Sequence, residues 1–332
     1  MKFLHQVLLF VFVATGSNVV AENNVISNPM IPGYFADPSI VVENSKFYCY
    51  ATIDPWGGDS LAFWVSDDLK NLIRKPLNWQ TKPQCTSKTS NDSKVWSPGV
   101  IRGKDGKYHI FVSVGSEVYA DVSDCPGGPW KNVKAEGGPF IATQKTINVH
   151  IIDAEVFLDE DGKAYIYWGS GWDWKDGHCF VAALNESIDA LVTPPKDITP
   201  PGYFEAPHML KRKEQYYLMY SDGKCTDSTY KVRYAVANNP IGPWVEGKNS
   251  PVLSSDLARN IIGPGHHSIL FYKKKYYIVY HRIANVKSLD AKDLLREICI
   301  DELNFDQAGN IKKVTPSQKG FKNFVSLKKQ PE

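Results

Sequence analysis

The 332-residue chain has little of what would mark a charged partner. No run of Lys or Arg is longer than three residues, and 38 basic side chains stand against 36 acidic ones, a formal net charge of +2. So even a balance leaves no electrostatic footprint for nucleic acid or an anionic membrane. None of the six cysteines forms a C-x-x-C pair, which excludes a zinc knuckle and a thioredoxin-like motif. There is no G-x-S-x-G, Walker A loop, H-E-x-x-H or strand-linked G-x-G-x-x-G, and Gly263-Pro-Gly265 reads as a turn. Helical periodicity is scarce, with Ser288 to Leu295 the short exception.

What is present is 43% hydrophobic, 22% charged and rich in 9 Trp, 17 Tyr and 15 Phe, with 24 Gly and 21 Pro. Aromatics with many turn residues favour strands. At the N-terminus Lys2 precedes an apolar stretch from Val7 to Val13, and Val19 and Ala21 stand like the −3 and −1 positions of a signal-peptidase site. The expectation is a signal peptide over 1–21 and a mature chain over 22–332, secreted or periplasmic. The apolar run is too short to span a bilayer, so no membrane association follows cleavage. Export permits disulfides. Cys49 and Cys299 lie in strand-like runs and read as buried free thiols, whereas Cys85, Cys125, Cys179 and Cys225 lie in or beside loops and are open to pairing.

Five aromatic runs organise the sequence: Lys46-Phe-Tyr-Cys-Tyr-Ala, Lys107-Tyr-His-Ile-Phe-Val, Lys163-Ala-Tyr-Ile-Tyr-Trp, Gln215-Tyr-Tyr-Leu-Met-Tyr and Lys275-Tyr-Tyr-Ile-Val-Tyr. Each follows a polar turn and, before that, a short apolar strand, which makes a β-hairpin repeated five times. A third strand recurs too, with Gly128-Pro-Trp130 and Gly242-Pro-Trp244 closing two copies. The spacing predicts an all-β, five-bladed β-propeller that occupies most of the mature chain and leaves no room for a second large domain.

Aligning the hairpins brings the preceding strands into register as Asp37-Pro-Ser-Ile, Ser97-Pro-Gly-Val, Asp153-Ala-Glu-Val, Glu205-Ala-Pro-His and His266-His-Ser-Ile. One column then reads Asp, Ser, Asp, Glu, His. Innermost strands face the propeller axis, so three carboxylates and an imidazole converge on one end of the channel. Like charges in a partly dry site raise one another's pKa and cost stability, which marks the cluster as functional rather than structural. Glycosidic bond hydrolysis uses such a set without a cofactor: one carboxylic acid protonates the leaving oxygen while a carboxylate activates water.

The residues resemble glycoside hydrolase family 43, five-bladed propeller enzymes acting on arabinose-, xylose- and galactose-containing plant polysaccharides. The resemblance rests on Asn28-Pro with Ala36-Asp-Pro-Ser-Ile, Trp96-Ser-Pro, Ile152-Asp-Ala-Glu-Val-Phe with Asp161-Gly-Lys, Phe204-Glu-Ala-Pro, Gly263-Pro-Gly-His and Arg296-Glu. It implies Asp37 as general base, Glu205 as general acid, Asp153 as the residue that orients that acid and raises its pKa, and inversion at the anomeric carbon. His266 matches an axial histidine that orients site groups or lies near a bound ion, and Arg296 an arginine that contacts substrate. The implied partner is an oligo- or polysaccharide. No cofactor is required, and a structural calcium in the central channel is the ion the resemblance admits, with His266 its candidate ligand. Releasing terminal arabinofuranosyl or xylosyl residues is the expected activity; a galactan- or arabinan-cleaving member, or a non-catalytic sugar-binding propeller, are the alternatives.

Around this set, Trp56, Trp96, Trp172 and Trp174 fall in positions that reach a pocket rim, with Trp96 and Trp172 expected to contact sugar. Glu155 shares a strand face with Asp153, and His267 is expected to point into the blade where His266 points to the axis.

Overall fold

The computed structural model describes residues 25–79, 94–143, 148–284 and 294–322. The expected signal segment, Cys85 and most of the Ser288–Leu295 stretch lie outside them.

Each aromatic run becomes the second strand of an antiparallel sheet, since its alternating large side chains have a buried face on both sides. Blade 1 orders Phe35–Glu43, Lys46–Ile53, Ala62–Ser66 and Ile73–Lys75. Blade 2 repeats this with Val95–Arg102, Tyr108–Val114, Glu117–Ser123 and Lys131–Asn132. Blade 3 uses Glu155–Leu158, Ala164–Trp168, Phe180–Leu184 and Lys196–Asp197. Blade 4 runs from Glu205–Arg212 through Gln215–Asp222 and Lys231–Ala237 to Val245–Glu246, with Leu253–Ser254 also paired to its third strand. Blade 5 has three strands, Ile262–Tyr272, Lys275–Ile283 and Arg296–Leu303. The fold is the five-bladed β-propeller that the repeat predicts.

The hydrophobic core is divided among the interfaces between blades. Phe47, Trp64, Tyr277 and Ile298 join blades 1 and 5, Phe63 and Ile110 blades 1 and 2, Phe111 and Ile166 blades 2 and 3, Tyr167 and Leu218 blades 3 and 4, and Tyr217 and Tyr280 blades 4 and 5. Burying each such ring contributes roughly 1.5–3 kcal/mol, so the repeat holds the ring of blades together. The N-terminal segment closes it. Asn28 Oδ1 accepts the Ile300 N–H at 2.8 Å, its Nδ2 donates to the Ile300 carbonyl at 3.0 Å, and the Met30 N–H donates to the Ile298 carbonyl at 2.7 Å. Asn28 thereby takes the place of a strand neighbour on the outer edge of blade 5.

Near the start of every inner strand one residue takes a left-handed backbone: Asp37 (φ 52°), Ser97 (50°), Asp153 (60°), Ala206 (55°) and His266 (41°). Where pairing spans this point the ladder slips, as a β-bulge does. The bulge column therefore contains Ala206, and Glu205 stands one residue earlier, beside the column of Trp96 and Ile152. This corrects the sequence register in blade 4, where the match is Ala206-Pro-His-Met to Asp37-Pro-Ser-Ile.

Left-handed backbone costs a residue with a Cβ about 1–2 kcal/mol. Hydrogen bonds from the preceding blade hold it. The Ser97 N–H donates to Thr52 Oγ1 (2.8 Å), Asp153 N–H to Ser113 Oγ (3.0 Å), His266 N–H to Ser221 Oγ (2.8 Å) and Asp37 N–H to His281 Nδ1 (3.2 Å). Blade 3 has Gly169 at the corresponding place, and there the Asp153 carboxylate itself accepts the Ala206 N–H.

Candidate active site

The bulges open onto a cavity of about 360 Å3 at one end of the axis. Asp37, Trp96, Asp153, Trp172, Glu205, His266 and Arg296 all line it, so the structure brings together the residues expected to act on or contact the sugar. Trp56 and Trp174 line it as well, each more than a third exposed.

Asp37 is buried and crowded by cations and donors. Arg296 Nη1 lies 3.2 Å from its Oδ1, His266 Nδ1 is also 3.2 Å away, and Thr52 Oγ1 donates to Oδ2 at 2.7 Å. Burial alone would raise this carboxyl, but the charges of Arg296 and His266 outweigh it and hold Asp37 well below the usual carboxylate range. Arg296 is in turn fixed by Asp54, which accepts from Nη2 at 2.7 Å, from Nε at 3.1 Å and from the Arg296 N–H at 2.7 Å. The Trp56 ring covers the guanidinium at 5.8 Å.

Glu205 faces the opposite electrostatics. Burial, with the Asp37 charge adding to it, pushes it up to about 7 against the Tyr230 hydroxyl, which donates to Oε1 at 2.7 Å and favours the ionised form. Ser170 Oγ stands 3.4 Å from Oε2. Asp153 is also held well above the carboxylate range, by burial first and then by the charges of Glu205 and Asp37. One cavity thus holds an ionised carboxylate beside a pair of carboxyls that retain a proton near neutral pH, the division of labour that acid–base chemistry needs.

His266 sits between these groups. Its Nδ1 reaches Asp37 and, at 3.8 Å, Asp153, while Nε2 faces the Ser97 hydroxyl at 3.3 Å. Burial pushes its pKa down, against the Asp37 charge. A calcium ion on His266 would compete with Asp37, Asp153 and Ser97 for the ring nitrogens and would take most of its six to eight ligands from oxygens. Among the described residues no group of three or more His, Cys, Asp or Glu side chains is arranged to hold a metal ion. Glu155 lies outside the cavity, in the channel beneath, with Oε1 3.2 Å from His208 Nδ1. His267 is buried against His208, with ring centroids 5.7 Å apart.

Six partners escaped the sequence reading: Thr52, Asp54, His150, Ser170, Tyr230 and His281. Only Thr52 and His281 carried a repeat signal, since Thr52, Ser113, Ser221 and His281 each follow an aromatic run directly. Cys225 proves to be in the cavity wall, its thiol pushed up to about 12 by burial and so unreactive as a nucleophile. Cys49, Cys125, Cys179, Cys225 and Cys299 are free thiols, which removes pairing among the described loop cysteines.

Comparison with known proteins agrees with this geometry. The family model for glycosyl hydrolases family 43 matches residues 26–311. A β-D-galactofuranosidase of Aspergillus niger is 31% identical over 316 residues, covering 90% of this chain and 88% of the relative. A β-xylosidase of Xylanibacter ruminicola is 26% identical, covering 85% and 97%. The solved structure of an α-L-arabinofuranosidase from Clostridium thermocellum superposes with a TM-score of 0.67 at 26% identity, covering 87% of this chain and 96% of that one. A family match across nearly the whole described propeller, on a cavity built from opposed carboxyls, makes this chain a glycosidase of glycosyl hydrolases family 43.

Proposed function

We propose that the protein is an inverting glycoside hydrolase that releases terminal α-L-arabinofuranosyl or β-D-xylosyl residues from plant cell-wall polysaccharide or its oligosaccharides. The observation that carries this reading is the opposed protonation of Asp37 and Glu205 within one cavity. Asp37, ionised, takes a proton from the attacking water. Glu205, protonated below about 7, gives its proton to the leaving oxygen. Asp153 holds the Ala206 N–H beside Glu205 and competes with it for the shared proton. Arg296 and His266 keep the base charged and the cavity wall polar, and Trp96 and Trp172 offer apolar faces to sugar rings. Cleavage of the first 21 residues and export to the periplasm or medium complete the proposal, placing the enzyme where polysaccharide is found.

The choice of sugar leans on relatives named for xylosidase and arabinofuranosidase activity. A β-D-galactofuranosyl substrate is the second reading, favoured by the Aspergillus niger relative. A panel of nitrophenyl glycosides with arabinoxylan, arabinan and galactan oligosaccharides separates them. Release of arabinose or xylose supports the first, and galactofuranoside cleavage alone transfers the assignment to the second.

A further inference from the structure

His150 stands in the cavity wall with no counterpart in the repeat. Its backbone pairs with Ser170 through two hydrogen bonds, His150 N–H to the Ser170 carbonyl at 3.1 Å and Ser170 N–H to the His150 carbonyl at 2.9 Å. It is thereby anchored beside the residue whose hydroxyl faces Glu205. Its ring stacks on Trp172, with centroids 4.1 Å apart and planes at 19°, and meets the ring of Trp96 near edge-on at 6.4 Å and 67°.

The turn that presents Trp172 is tight. Lys175 N–H donates to the Trp172 carbonyl at 3.0 Å, and a Cβ on Gly171 would lie 1.6 Å from the Lys175 oxygen. The imidazole stacks on one face of the indole, while 44% of Trp172 remains exposed. Burial also pushes His150 down to about 4, and its hydrogen bond to the Gly115 backbone only partly opposes that. Between about pH 4 and about pH 7 the ring is therefore neutral while Glu205 is protonated, with one nitrogen donating to Gly115 and the other an acceptor.

We propose that Trp96, His150 and Trp172 form the site for the sugar on the leaving-group side of the cleaved bond, with His150 fixing the Trp172 platform. The proposal rests on Glu205 being the acid. A leaving oxygen protonated by Glu205 must lie next to it; Tyr230 and Ser170 touch that carboxyl, and His150, paired to Ser170 and stacked on Trp172, continues the cavity wall from there. The Asp37 side is already filled by Arg296, Thr52 and Trp56. An aromatic wall with no formal charge and a hydrogen-bond acceptor suits an uncharged sugar ring that lays its apolar face on the indole and donates a hydroxyl.

The test compares two substrates with the same donor sugar: a disaccharide or arabinosylated xylo-oligosaccharide, and the glycosyl fluoride, whose leaving group is an ion. His150→Ala raises KM for the oligosaccharide about tenfold, the loss of roughly one stacking contact, and leaves kcat/KM for the fluoride within about twofold. His150→Phe keeps the stack and holds the oligosaccharide KM within about threefold. If the alanine variant does not fold, His150→Leu, which removes the planar ring and both nitrogens, is read the same way. Equal losses on both substrates, or an unchanged oligosaccharide KM, overturn the subsite while leaving the hydrolase reading intact. Wild-type protein that cleaves neither substrate overturns both.

Discussion

Arg296 reaches Asp37 with one guanidinium nitrogen, Nη1 to Oδ1 at 3.2 Å, while its other two are held by Asp54. The arrangement makes Arg296 the main counterion of the proposed base. Arg296→Gln removes the charge that opposes burial, so the Asp37 carboxyl rises. The acid limb of the kcat/KM profile then moves to higher pH, with activity at the optimum falling at least tenfold. An unmoved acid limb in an active variant would show that Asp37 is not the group being titrated.

The alkaline limb reports the acid. Glu205 acts in its protonated form, and burial with the Asp37 charge places its pKa at about 7. In the free enzyme kcat/KM should hold steady below that value and fall about tenfold per pH unit above it. Tyr230→Phe removes a donor that favours the ionised carboxylate, so the alkaline limb shifts upward. A downward shift would contradict the assignment.

The same shift links catalysis to stability. The Glu205 carboxyl binds its proton more tightly folded than unfolded, since about 7 lies above the ordinary 4.5. The stability this contributes is complete below the unfolded value and is lost as pH rises through about 7. Glu205→Gln does not titrate and escapes that loss. Relative to the wild type it should gain at most about 3 kcal/mol between pH 4.5 and 8 in denaturant titrations, while kcat on oligosaccharides falls by orders of magnitude. A pH-independent stability difference between the two proteins would contradict the raised carboxyl.

Asn28 offers a control remote from chemistry. Its side chain satisfies both backbone groups of Ile300, and removing it leaves buried polar atoms unpaired at about 1–3 kcal/mol each. Asn28→Ala should lower the denaturation midpoint and leave both limbs of the pH profile in place. Loss of activity in variant protein that remains folded would mean that the closure shapes the site directly.

The aromatic hairpins made the fold legible because a propeller repeats one burial pattern, and the inner-strand column pointed to the cavity for the same reason. The register failed at Glu205 because the first hairpin turns through two residues in blades 1, 4 and 5 but through five in blades 2 and 3, which shifts the count back from the aromatic run by one: Ala206 carries the left-handed backbone, and the acid precedes it. Thr52, Ser113, Ser221 and His281 were readable one position past each run, as residues that bond to the next blade. Asp54, His150 and Tyr230 lie on connections whose lengths differ between blades, so no column marks them. Their roles arise only from distances.

The central claim is that Asp37 and Glu205 act as a separated base and acid with water between them, which requires single displacement at the anomeric carbon. Proton NMR of the first sugar released from a reducing-end-blocked substrate, before mutarotation, tests it most directly. The account predicts that the anomer appearing first has the opposite configuration to the bond cleaved. Initial release with retained configuration would contradict it.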